Sequence, residues 1–322
     1  MPYDPRYCPR PAAAAASRPD DRGSAVTADS YATAAGLVER SASAYISGIP
    51  DNPADDGFFG PASITWRVSG GLISPVAGLR SLILQALHPL AMAGVDQHSG
   101  WKQDPVGRLA ATSAYVSTVT FGDRATAERA AAVVWRIHEH VTGTDTVTGR
   151  RYAAGDPALL LWVHAALVES DLAVRSLLAT PLTPADGDRY VAEMVVAATL
   201  VGVPRAMVPA TAAELDSYIC SVRPELQCTP AAKESMAYLL DPPGLDEDIA
   251  DIWQDVRDAA ITCLPDWARE MYGYHAPEPL TPARRTEIRQ ALGILDAAFL
   301  GEPGVLEARQ RITARMRAAQ SA

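Results

Sequence analysis

At Asp104-Pro105, Asp156-Pro157, Thr183-Pro184, Thr229-Pro230 and Thr281-Pro282, a capping residue stands directly before a proline that opens an expected helix. Aspartate and threonine satisfy free amides at a helix start, and proline at the first helical position loses no hydrogen bond because its amide would have been unpaired anyway. A chain punctuated this way starts a new helix every few tens of residues. Helices follow at about Leu72–Val95, Pro105–Phe121, Thr126–Thr142, Pro157–Leu178, Pro184–Val201, Thr211–Ser221, Ala231–Leu240, Asp246–Ile261, Thr281–Phe299 and Glu302–Ala319, with an earlier one at Ser30–Ile46. Between Gly143 and Gly155, the run TDTVTGRRYAA alternates β-branched and polar residues around Thr148-Gly149, which predicts one short β-hairpin. The expected fold is all-α, a single large helical domain over residues 29–322 behind a mobile tail, residues 1–28, that mixes Pro, Ala, Arg and Asp without period.

Composition agrees with a globular chain: 322 residues, 48% hydrophobic and 20% charged. The balance of 28 basic against 38 acidic residues gives a net charge of −10, with no basic run to follow a phosphate backbone, so nucleic acid is not an expected partner. Four scattered cysteines, Cys8, Cys220, Cys228 and Cys263, form no CxxC pair and read as reduced thiols of a cytoplasmic protein, with a Cys220–Cys228 disulfide the one pairing close in sequence. Charges interrupt the N-terminal alanine run where an export signal needs an apolar core. The longest apolar stretch, Leu72–Val95, is cut by Arg80, Gln85 and His88-Pro89, so no transmembrane span is expected. Nothing in the sequence fixes the oligomeric state.

Chemistry points to the histidines. Five of the six, His88, His98, His138, His140 and His164, lie in the first helices after residue 72, and neutral imidazole is the commonest protein ligand for iron and zinc. At about 100° per residue, His138 shares a face with Ala127, Ala131, Val134, Ile137 and Val141, whereas His140 lies opposite with Arg129 and Arg136. Small residues beside His138 leave room for a large flat group such as a porphyrin, and His140 reads as a surface residue. Arg108 and Thr112, four apart, project a cation and a hydroxyl from one stripe with Tyr115 nearby; the bland alternative is a salt bridge and a back-bonded threonine. Gln85 and His88 share a face, and Pro89 favours a kink behind them. His98 sits in an expected loop, a position from which catalytic groups are often presented. His164, in LLLWVHAAL, reads as buried, with a hydrogen bond to a neighbouring helix as its bland role, and His275 as a turn residue.

Spacing excludes several chemistries. The residues three before each histidine are Gln85, Val95, Trp135, Ile137, Leu161 and Tyr272, so no ExxH di-iron motif is present, and HExxH, GxSxG, GxxxxGK, GxGxxG and CxxCH are absent too. Non-covalent haem or a mononuclear metal site, the latter built from His88, His98 and His164, remains.

The blocks LQALHPLAMAGVDQHS (84–99), DPVGRLAAT (104–112), FG (121–122), IHEHVTG (137–143), YAAGDPALLLWVHA (152–165) and LPDWAREMYG (264–273) resemble the MpaB and rubber-oxygenase family. The resemblance implies an all-helical fold with a globin-like core around haem b, an axial histidine and oxidative chemistry with molecular oxygen or peroxide. Carried over, the iron ligand is His138, while Arg108 and Thr112 match the family's RxxxT pocket pair. His88, His98 or His164 would supply a hydrogen bond to bound oxygen or support the cofactor. Ala111 stands where latex-clearing members have a lysine, so the likeness does not extend to a lysine-capped iron or to rubber as substrate. The expected function is a haem b-dependent oxygenase acting on a small apolar molecule, by C=C cleavage of a prenyl or terpenoid substrate; the alternative is a non-catalytic haem or ligand-binding carrier, sensor or scaffold.

Overall fold

Arg80 is a fully buried cation, 0% exposed, in the middle of an apolar helix, and three helices are arranged around it. The computed structural model of the chain describes residues 55–69, 73–103, 105–242, 247–274, 280–299, 313–315 and 317–318. Its helices in order are α1 (Ile64–Ser69), α2 (Ser74–Gln85), α3 (Pro89–His98), α4 (Pro105–Phe121) and α5 (Arg124–His140). The hairpin β1 (Thr142–Thr144) and β2 (Arg151–Ala153) follows, and then α6 (Pro157–Leu178), α7 (Pro184–Leu200), α8 (Ala212–Val222), α9 (Pro230–Leu240), α10 (Glu247–Cys263), α11 (Asp266–Tyr272) and α12 (Pro282–Phe299). The chain is all-α apart from that two-stranded sheet. The expected helices at Ser30–Ile46 and most of Glu302–Ala319 lie outside the described residues, as do the tail and His275.

Helix α6 is the central helix. It packs along α2, and touches α1, α3, α7, α8, α10 and α12. Leu79, Ile83 and Leu87 from α2 and its exit meet Trp162, Ala165, Ala166 and Val168 of α6 and Val256, Ala259 and Ala260 of α10 in one contiguous core. Alanines at Ala165, Ala166, Ala259 and Ala260 let the backbones approach closely, so the aliphatic chains of α2 fill the seams. Into this core Arg80 sends a guanidinium that pairs with Glu169 (Nη2 to Oε1, 2.8 Å) and donates to Ser170 Oγ (2.7 Å) and the Cys263 carbonyl (2.8 Å). The α6 window is long and apolar enough to cross a membrane, but 67% of it is buried inside the protein, as for a core helix.

The caps behave as their chemistry requires. Asp156 accepts from the Ala158 amide, Thr183 from Asp186, Thr229 from Ala232 and Thr281 from Arg284. Asp123 caps α5 through the Thr126 amide at 2.8 Å. Pro89 does more than kink: the expected single helix Leu72–Val95 is two helices bent by 105°. The residue before a proline is pushed out of the α region, and His88 adopts an extended conformation (φ −84, ψ 112) as the N-cap of α3. His98 is therefore not in a loop but is the last residue of α3. The hairpin pairs Thr142 with Ala153, Gly143 with Tyr152 and Thr144 with Arg151. Helix α11 was not foreseen; its LPDWAREMY sequence is too short to show a period. Cys228 and Cys263 are free thiols, whereas Cys220 is disulfide-bonded, so neither four reduced thiols nor the 220–228 pairing describes the chain.

Removing one partner from a buried ion pair leaves the other charged and unpaired, a loss of ~3–5 kcal/mol. Arg80→Met should lower urea-unfolding stability by that amount, and Arg80→Met/Glu169→Gln should lose less. A loss below ~1 kcal/mol for the single variant would be the value of an exposed pair, not of a buried one.

Candidate functional site

The last turn of α5 carries the contrast read from the sequence. His140 is exposed and its Nδ1 lies 2.7 Å from the Arg136 carbonyl, while His138 is half-buried on the opposite side. On that face Ala127 and Ala131 are buried, and α5 packs on α4. The half-accessible part of the face is its C-terminal end, Val134, Ile137 and His138.

Burial, with a smaller contribution from the Arg108 charge, drives the His138 pKa down to about 4. Arg108, on the first turns of α4, is thus near enough to act on His138 through its charge, and its own pKa is lowered by burial, with no described acidic side chain contributing. At neutral pH His138 is an uncharged imidazole with a lone pair to give, which is the form that ligates metals. Its Nδ1 is enclosed without a hydrogen-bond partner. Burial likewise takes His164 down to about 4. Arg108, His138 and His164 are each half-buried by surface, yet loss of hydration dominates all three shifts.

Thr112 donates its hydroxyl to the Arg108 carbonyl at 3.0 Å, the back-bonded arrangement, and so offers only oxygen lone pairs to anything else. His88 is buried, its ring 6.3 Å from that of Trp162, and its pKa is lowered by burial in a field set mainly by Glu225 and Arg150. Trp162 donates to the Gln85 carbonyl, and the Gln85 side chain donates to Ser81 Oγ and the Val163 carbonyl. His98 is 9% exposed and its Nε2 lies 3.1 Å from Tyr152 Oη.

The structure therefore brings Arg108, Thr112 and His138 to one α4–α5 pair and leaves His88 and His98 at the two ends of α3, His98 bonded to Tyr152 and His88, like His138, with its Nδ1 enclosed without a hydrogen-bond partner. His88, His98 and His164 do not converge on a point: among the described residues no three His, Cys, Asp or Glu side chains could hold one metal ion. A groove of about 680 Å³ between α9 and α10, lined by Tyr238, Asp241, Arg257 and Asp258, contains none of these residues. Sequence reasoning missed Tyr152 and Gln97, whose link to His98 is described below; the one available signal was Gly143, a glycine opposite a tyrosine in a predicted hairpin.

Residues 66–297 match the family model described as ER-bound oxygenase mpaB/B′/rubber oxygenase, catalytic domain. That span runs from α1 into α12 and includes all the residues discussed above. No curated protein and no solved structure matches the chain.

The buried titrating groups set a pH dependence with two opposing signs. An unfolded histidine protonates below 6.5, whereas folded His138 and His164 stay neutral down to about 4, so unfolding takes up protons in that window and stability falls as pH drops through it. Asp171, raised to about 6 by burial despite the Tyr190 hydroxyl it accepts at 2.5 Å, acts oppositely between 3.8 and 6, being protonated when folded and ionised when unfolded. Urea midpoints measured from pH 7 to 4 should show a shallower acid decline in His164→Gln and a steeper one in Asp171→Asn. Parallel curves for the three proteins would contradict these assignments.

Proposed function

The chain belongs to the ER-bound oxygenase mpaB/B′ and rubber-oxygenase catalytic-domain family, and from that premise we propose that it is a haem b-dependent oxygenase acting on a small apolar molecule. The observation that carries the reading is His138, an enclosed, uncharged imidazole beside the Arg108 guanidinium within the matched span.

The residues suit the cofactor. His138 has a lone pair at any physiological pH and one ring nitrogen whose polar requirement no protein group meets. Arg108 supplies a dehydrated positive charge on which no described acidic side chain acts, the complement of a propionate carboxylate. When bound, haem b supplies the redox-active iron that oxidative C=C cleavage with molecular oxygen requires. His138 would hold the iron, and the positive charge of Arg108 helps to keep its imidazole unprotonated. Val134 and Ile137, half-accessible on the same face, give an apolar wall suited to a prenyl or terpenoid chain. Thr112, its proton committed to the Arg108 carbonyl, orients the turn that presents Arg108. His164 lies on the central helix as a second neutral imidazole able to exchange a hydrogen bond with a bound ligand.

Protein produced with a haem precursor should show a Soret band that is lost or shifted in His138→Ala. Arg108→Gln should retain the band and release haem about tenfold faster, as for loss of one charge-assisted hydrogen bond. No Soret band in the haem-supplied wild type, or an unchanged spectrum in His138→Ala, overturns the reading.

A further inference from the structure

Helix α5 ends at His140 and runs through Val141 directly into β1, so the turn that carries His138 moves with the hairpin. Val141 donates its amide to the His138 carbonyl at 3.3 Å and accepts from the Ala154 amide at 2.8 Å, which ties the end of α5 to the end of β2. The hairpin is in turn gripped by the last two residues of α3. Tyr152 Oη donates to Gln97 Oε1 at 2.7 Å, and Gln97 Nε2 donates to the Thr144 carbonyl at 3.1 Å, so one amide side chain holds both strands. Because the tyrosine proton is committed to Gln97, the oxygen accepts from His98 Nε2 at 3.1 Å, which fixes His98 with its proton on Nε2.

The grip is tight. Gly143 faces Tyr152 across the hairpin, and a Cβ placed on it would sit 2.5 Å from Tyr152 Oη and 2.9 Å from Gln97 Oε1. The Tyr152 ring, 6% exposed, packs with Leu90 and Ala93 of α3, Val141 and Leu159, and Ile137 lies against the same cluster. Two routes from Tyr152 lead to the last turn of α5: through Ile137, next to His138, by packing, and through Val141, three residues on, by packing and by the hydrogen bond it accepts from Ala154.

We propose that Tyr152, held by Gln97 and His98, is a positioning residue for His138: a polar clamp that fixes the last turn of α5 so that the imidazole meets its ligand in one orientation. The inference rests on the reading of His138 as the iron ligand. Tyr152 acts through the backbone and touches neither cofactor nor substrate in this scheme. Outer groups that orient a ligating histidine tune metal affinity and redox potential, and here that role falls to a hairpin anchored on a neighbouring helix.

Tyr152→Phe tests it, because the ring that fills the cluster is kept and only the hydroxyl is removed. Thr148→Ala is the control: it removes the Thr148 hydroxyl's bond to Asp145 at the hairpin tip and loosens the hairpin away from the clamp. Hydrogen exchange of the segment 137–144 is followed in the full chain without added haem, and the Soret maximum and midpoint potential are recorded after haem loading. Tyr152→Phe should speed exchange in 137–144 about tenfold, the equivalent of one lost net hydrogen bond, leave α6 unchanged, and shift the midpoint potential; Thr148→Ala should do neither at His138. Wild-type exchange in Tyr152→Phe, or a change no larger than that in Thr148→Ala, overturns the clamp. Faster exchange with an unaltered potential and Soret band in a haem-binding protein reduces it to a structural contact and overturns the positioning role. If the wild type binds no haem, the iron-ligand reading and the positioning role fall with it, and the exchange data report separately on the clamp.

Discussion

The Arg80–Glu169 pair is the constraint on which the remaining geometry depends. Two charges removed from water cost several kcal/mol each, and their attraction offsets this only when the remaining donors are also satisfied. Here they are: the guanidinium reaches Glu169 and Ser170 on α6 and the Cys263 carbonyl at the end of α10. Apolar contacts between α2, α6 and α10 would tolerate a slide by a helical turn, because leucine and alanine seams have many near-equivalent registers. A buried charge with one set of partners does not. The pair therefore selects the register of the central helices, with Tyr272 of α11 adding a hydrogen bond to the Ile83 carbonyl of α2 and Trp162 of α6 another to that of Gln85.

From that fixed register the site follows by short steps. Pro89 turns the chain away from α2 by 105° at a position set by the α2–α6 packing, and this places α3 where its C-terminal Gln97 and His98 reach the hairpin. The hairpin holds the end of α5, and α5 packs on α4 and so sets His138 near Arg108.

What was legible in the sequence was local. The capping residue before each proline places helix starts to within a residue or two, since the physics of a first turn involves only neighbours: Pro105–Phe121 and Pro157–Leu178 come out as read. The same holds for the hairpin and for the division of His138 from His140 by helical angle. What was not legible was pairing across distance. Arg80 and Glu169 are 89 residues apart, and His98 and Tyr152 are 54 apart, and no periodicity encodes such partners. Pro89 signalled a break but not its angle, which depends on what α3 packs against. The alanines beside His138 read as room for a flat group, yet small residues serve equally to let a helix approach, and Ala127 and Ala131 are buried.

The polar groups around Arg80 and those around His138 differ in one physical respect. Around Arg80 charge meets charge and donors meet acceptors, so the cluster is complete within the protein and its low-dielectric surroundings strengthen it. Around His138 the protein withdraws water without replacing what water supplied. Arg108 is dehydrated with no described acidic side chain contributing to its shift, and a ring nitrogen of His138 is enclosed without a partner. Loss of hydration costs stability unless another group supplies what water gave. On the proposed haem reading, an iron centre carrying carboxylate arms would offer an electron-pair acceptor to the imidazole and negative charge to the cation on the adjacent helix, a combination that a purely apolar ligand lacks.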